Sequence, residues 1–163
     1  MKRIFALLAT ALLLPLAAAS AQTEWHGPQP QLPTVELAIG DAHVTAEVAR
    51  EPEQHQRGLM FRRGLKDNVG MLFVFAHEQK MTFWMQNTLI PLSIAYIDRA
   101  GKIVEIYDMQ PLDTRVVPSQ SDKILYALEM NQGWFILNKI SPGAEVRPMN
   151  ARYGEGLLAA PKP

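Results

Sequence analysis

The sequence has no cysteine. That absence removes disulfide cross-links, thiol catalysis, a lipid-modified N-terminal cysteine and thiolate metal sites at once. It has no surplus of charge either: 16 basic residues face 16 acidic ones over 163 positions. A chain so balanced gives nucleic acid or an anionic membrane surface no electrostatic reason to hold it, and neither is expected as a partner. Long apolar runs are scarce. There is one, Ile4 to Ala19, and nothing after it approaches the length that crosses a bilayer. Membrane insertion of the mature chain is therefore not expected.

That one run follows Lys2 and Arg3 and ends in Ala19-Ser20-Ala21, small residues where a signal peptidase reads. Residues 1–21 are thus expected to be a secretory signal peptide, which implies a periplasmic or secreted destination. Its removal leaves 14 basic against 16 acidic residues, a net charge of −2. Residues 22–33, QTEWHGPQPQLP, are rich in Pro and Gln without periodicity and read as an extended lead-in. Residues 34–149 read as a single globular domain, since a composition 48% hydrophobic supports one core at this length. Residues 150–163 read as a flexible tail.

Within the domain, alternation dominates. TVELAI and HVTAEVA alternate apolar and polar residues around Gly40-Asp41, which predicts a hairpin with Val44, Ala46 and Val48 inward and His43, Thr45 and Glu47 outward. REPEQHQRGLM predicts a short helix, with Pro52 in its first turn, Gly58 at its end and His55 on a polar face. GMLFVF is an apolar run suited to a buried strand, and KMTFWMQ alternates as a further strand. PLSIAYI and KIVEIYDM flank Asp-Arg-Ala-Gly, a hairpin signal with Gly101 free to take positive φ. A long loop follows, then the strand KILYALEM, a second helix over NQGWFILNKI capped by Asn131, and a last strand in AEVRPM. The expected class is α+β and β-rich: a small mixed, partly closed, barrel-like sheet with two short helices.

RGLMFRRGL, GMLFVF, FWMQNTLIPLSI, the Ile-x-x-Ile-Tyr stretch and ALEMNQG followed by SPGAEV resemble, in this order, the DUF192 family. The resemblance spans roughly residues 34–149. It implies a small β-rich domain, often exported, with no established activity. The sequence departs from the family pattern in two places: Ser93 stands after Pro-Leu where the family usually has Asp, and Gly143 is followed by Ala144, with the acid displaced to Glu145.

Six residues are candidates for a ligand site: Arg57, Trp84, Asn87, Thr88, Ser119 and Glu129. Trp84 beside Asn87-Thr88 offers an indole for stacking and an amide to fix orientation; the alternative is a core tryptophan followed by a turn into Pro91. Arg57, with Arg62 and Arg63, has the geometry to clamp an anion, or to pair with acids such as Glu53 and Asp67. Ser119 and Ser121 lie in the long loop, as ligand contacts or turn caps. Glu129 is the one acid inside an apolar strand, a costly placement unless it is paired. These residues point to an exported module that binds a small polar molecule, for instance a saccharide or another polar envelope component.

Two alternatives remain. In one, Glu129 serves as a general acid or base, although it lacks the second carboxylate that glycoside chemistry requires. No Ser stands in a Gly-x-Ser-x-Gly elbow, and an enzyme is not the first expectation. In the other, His77, Met81 and Met85 carry Cu(I), as soft ligands favour it. On an extended strand, however, His77 and Met85 would stand ~26 Å apart at ~3.3 Å per residue. No cofactor is expected.

Overall fold

The structure is a computed structural model and describes residues 25–149. The expected signal peptide over residues 1–21 and the tail over 150–163 lie outside the described residues, as do residues 22–24 of the lead-in.

The chain opens with the predicted hairpin, β1 (Thr34–Ile39) and β2 (Ala42–Ala49), paired antiparallel around Gly40. Helix α1 (Pro52–Arg57) crosses to β3 (Val69–Gln79), which lies parallel to β2. The short β4 (Thr82–Phe83) precedes the hairpin of β5 (Leu92–Ile97) and β6 (Ile103–Met109). Then come β7 (Val117–Pro118), β8 (Ile124–Asn131), α2 (Trp134–Leu137) and β9 (Val146–Pro148). Seven strands form one sheet in the order β6-β5-β8-β3-β2-β1-β9, and β4 and β7 pair separately. The β2–β3 pairing makes the sheet mixed, as expected.

The sheet curls into an open half-barrel. Its two edges meet at one end only, where the turn before β6 bonds the segment leading into β9: Ile103 N–H to Ala144 O (2.9 Å) and Val146 N–H to Gly101 O (2.8 Å). Gly101, at φ 83°, takes the left-handed conformation this turn requires. Close approach of β3 and β8 depends on Gly70, where a Cβ would stand 2.4 Å from the Glu129 carbonyl oxygen.

Strand alternation sorts the interior into two cores. The inner face holds Leu37, Val44, Leu72, Ala95, Leu128 and Val146, closed at one end by Trp134 and Phe135 of α2. The other face holds Met71, Phe73, Leu92, Ile94, Tyr96 and Ala127 from the strands, covered by Leu59, Met81, Met85 and Ile90 from the connecting segments. A sheet covered on both faces buries every residue of its central strands, which is why all six of β5 are buried.

Four local expectations are corrected. KMTFWMQ is strand only over Thr82–Phe83, because the chain turns at Asn87, whose φ is 56°. Asn131 does not cap α2; it ends β8, and its amide donates to Leu65 O (3.3 Å). Gly133, at φ 79°, takes the cap position, and its N–H donates to the Ser93 hydroxyl (2.8 Å). Glu47 does not face outward with His43. It is buried on the segment-covered face, where Arg62 and the Leu32 N–H satisfy it. His55 is half-buried rather than on a polar face, its ring 4.5 Å from that of Phe75.

Candidate functional site

The covered face is the place to look for chemistry, because register alone lines charged groups across it. Glu47 on β2 is opposite Met71 on β3, Met71 is opposite Glu129 on β8, and Glu129 is opposite Ile94 on β5. Two acids thus stand in one row with a methionine between them.

Their surroundings differ. Arg62 grips Glu47 with both terminal nitrogens, at 2.5 and 2.8 Å, and the Leu32 N–H adds a third bond at 2.9 Å. The Glu129 carboxyl makes no side-chain hydrogen bond among the described residues, though the residue is only 4% exposed. Burial alone pushes its carboxyl up to about 8, so the acid is neutral at pH 7. Among the described residues six polar or charged side chains are buried: Gln29, Glu47, Thr88, Ser93, Ser119 and Glu129. The first five are hydrogen-bonded. The Glu129 carboxyl has no such partner; the buried Tyr126 hydroxyl, Trp25 Nε1 and Arg57 Nε also lack one among the described residues, and such groups call for an explanation.

Three connecting segments converge over this face. The Phe61 N–H donates to Asn87 O (2.8 Å), and the Leu112 N–H donates to Thr88 O (3.0 Å). The three residues Phe61, Asn87 and Leu112 all have positive φ, at 62°, 56° and 60°. Asn tolerates that region, but Phe and Leu each incur roughly 1–3 kcal/mol there. Strain of this kind gathers where the surrounding structure fixes a shape for a purpose.

Five of the six candidates belong to this assembly or to the sheet face beneath it. Trp84 stands 48% exposed, and Leu89, Leu112 and Val116 are exposed as well. The Asn87 side chain is half-buried, and its one partner is the Met60 sulfur at 4.0 Å. Thr88 is a turn residue: its hydroxyl bonds Gln86 O (3.4 Å) and its N–H bonds Met85 O (3.0 Å). Ser119 is a brace, accepting from the Met81 N–H (3.0 Å) and donating to Ser121 O (2.7 Å). Glu129 lies on the sheet face these segments cover. Arg57 has partners of its own: its guanidinium bonds Glu53 (3.3 Å) and Gly27 O (3.2 Å) and lies over the Trp25 ring, while its Nε is buried without a partner among the described residues.

The metal alternative loses its geometry. His77 is exposed near the end of β3, whereas Met81 and Met85 are buried with Met71 and Met109 as core packing. Sequence reasoning missed the Glu47–Arg62 pair. The small apolar residues Ala46, Val48 and Ala49 around Glu47 were the available signal that both faces of β2 are covered. The left-handed backbone at Phe61 and Leu112 left no signal, since neither residue type favours it.

The comparisons agree with this architecture. A protein from Sinorhizobium meliloti 1021, described as a proposed transcription regulator, has a similar structure: TM-score 0.70, 28% identity, covering 74% of this chain and 97% of its own. A protein of unknown function from Novosphingobium aromaticivorans DSM 12444 is also similar, with TM-score 0.67 and 28% identity over 85% of this chain and 93% of its own. No curated protein matches the chain. The profile of DUF192, described as uncharacterized ACR, matches residues 35–148, which hold the whole sheet except Thr34 and all six candidates. The protein belongs to the DUF192 family.

Proposed function

We propose that this protein is an exported module that binds a small polar ligand, of the class of saccharides or related polar envelope components. The observation that carries the reading is Glu129, the buried carboxyl without a partner among the described residues. Folding has nothing to gain from a lone acid in an apolar layer, so a ligand that completes its hydrogen bonding accounts for it. The half-exposed indole of Trp84 and the under-used amide of Asn87 supply the apolar wall and directed polar group of such sites. The strained junction of Phe61, Asn87 and Leu112 is where the covering segments would part to admit the ligand. Export rests on Lys2, Arg3, the apolar run to Ala19 and Ala19-Ser20-Ala21. The description of the Sinorhizobium relative finds no echo in this chain's charge, since DNA binding draws on a basic excess that is absent.

A thermal-shift survey of the purified protein against neutral, acidic and basic sugars and polar metabolites tests the reading. A ligand should raise Tm, and Trp84→Ala, Asn87→Ala and Glu129→Gln should each weaken it. A survey in which no compound moves Tm ends the proposal.

An acid–base enzyme is the second reading. It draws on the pairing of a neutral Glu129 with an ion-paired Glu47 two strands away, since opposed environments for two carboxyls mark acid and base roles. In that case Glu129→Gln abolishes turnover while leaving affinity nearly intact.

A further inference from the structure

Resting on the binding reading above, we infer that the polar group this site receives is a cationic amine, held by the Glu129 carboxylate between aromatic and thioether walls. The argument is an accounting of the covered face. Every other titratable group there already has a partner. Glu47 belongs to Arg62, and the Tyr96 hydroxyl donates to Val117 O. Tyr107 donates to Glu105 (2.7 Å), and His55 Nε2 lies 3.1 Å from Ala49 O. Most neutral polar groups are committed too, Asn131 to Leu65 O and Ser119 to Met81 and Ser121, which leaves the uncharged Asn87 amide, bonded to the Met60 sulfur at 4.0 Å. Arg62, the cation of that row, has both terminal nitrogens on Glu47. Glu129 therefore has no free positive charge to pair with on this face among the described residues.

What surrounds it suits a cation. Met71 and Ile94 are its cross-strand neighbours, and Met81, Met85 and Met109 belong with them to the core of this face. Rings run across the same face: Phe73 to Phe83 at 4.9 Å, Phe83 to Tyr96 at 6.0 Å, and Tyr96 to Tyr107 at 6.0 Å. Aromatic faces attract organic cations, most strongly where water is excluded. A hydroxyl ligand supplies one hydrogen bond. An ammonium supplies hydrogen bonds and the missing charge. As it arrives, Glu129 releases its proton to solvent and no covalent bond of the ligand changes.

The test compares primary amines with their hydroxyl counterparts: propylamine with propanol, putrescine with 1,4-butanediol, and glucosamine with glucose. Tm and calorimetric Kd are read for the wild-type chain and for Glu129→Gln, whose fold is checked by circular dichroism. The expected result is binding by at least one amine and not by its counterpart, weakened about tenfold or more by Glu129→Gln, as loss of a charge-assisted bond predicts. Should Glu129→Gln fold poorly, Glu129→Met, which fills the volume without charge, gives the same comparison. Equal binding of amine and hydroxyl partners that depends on Glu129 overturns the ammonium inference and leaves the binding reading standing. Amine binding that survives both substitutions overturns it as well, as does the absence of any shift with these six compounds.

Discussion

Removing the charge of Glu129 should change how stability depends on pH, and the change can be worked out in advance. The carboxyl titrates at about 8 in the fold against 4.5 in the open chain, because burial disfavours the charged form. Between those values the folded protein holds a proton that the unfolded chain has released. Raising the pH therefore favours unfolding, by about 1.4 kcal/mol per pH unit. Across the whole interval the loss is roughly 5 kcal/mol, and at pH 7 it stands at roughly 3 kcal/mol. His55 works in the opposite direction: burial lowers its pKa, so its contribution is lost as pH falls through the ordinary histidine range. The wild-type profile alone therefore mixes two slopes, while the difference from Glu129→Gln cancels His55 and isolates the carboxyl. Urea unfolding followed by circular dichroism at pH 5, 6, 7 and 8 supplies both profiles. Glu129→Gln should gain on wild type steadily from pH 5 to pH 8. Profiles that stay parallel within about 0.5 kcal/mol would show that burial does not keep Glu129 protonated in the folded protein, and the site argument would go with them.

Other substitutions probe the frame that holds the site. Arg62→Met leaves Glu47 as an unpaired buried charge and should destabilise the fold by about 3–5 kcal/mol in urea unfolding, with Glu47→Gln added to it recovering part of the loss. Gly70→Ala drives a methyl group against the Glu129 carbonyl and the Met130 sulfur, and should lower stability by about 1–3 kcal/mol, read as a fall in Tm. Leu112→Asn places a residue that tolerates positive φ at an exposed, strained position; an increase of about 0.5–1 kcal/mol is expected. Ser93→Ala orphans the Gly133 N–H that begins α2, and should cost about 1–3 kcal/mol in denaturant titration.

The fold was legible where a single physical rule governs a segment. Alternation in TVELAI and in HVTAEVA gave the first hairpin, and the Gly101 turn gave the second, because side-chain period and turn chemistry are local properties. The rule failed at Glu47, where alternation predicts exposure but a second layer covers the outer face of β2. It failed again at KMTFWMQ, where burial still alternates but strand pairing ends after Phe83. Of the candidate site, Glu129 was visible as an acid within an apolar run. The contacts of Arg57 with Gly27 O and the Trp25 ring were not legible, because the segment around Trp25 and Gly27 carries no periodic signal of its own.

Ser93 shows how a departure from a family pattern is absorbed. The residue faces the inner core beside Ala95 and Ile97, away from Glu129, so the missing acid at this position leaves the covered face untouched. Its register partner on β6 is Asp108, and the Ser93 hydroxyl donates to that carboxylate at 2.5 Å while accepting from the Gly133 N–H at 2.8 Å. A carboxylate at position 93 would accept the same backbone N–H directly. Here the acid lies one strand away, and the hydroxyl connects it to the start of α2. Ser93→Asp would set two carboxylates side by side and should destabilise the fold, and Asp108→Asn should restore the loss if the two positions share one task. A Ser93→Asp loss that Asp108→Asn leaves unchanged, in a double-mutant cycle by urea unfolding, would show that the pair are neighbours without being coupled.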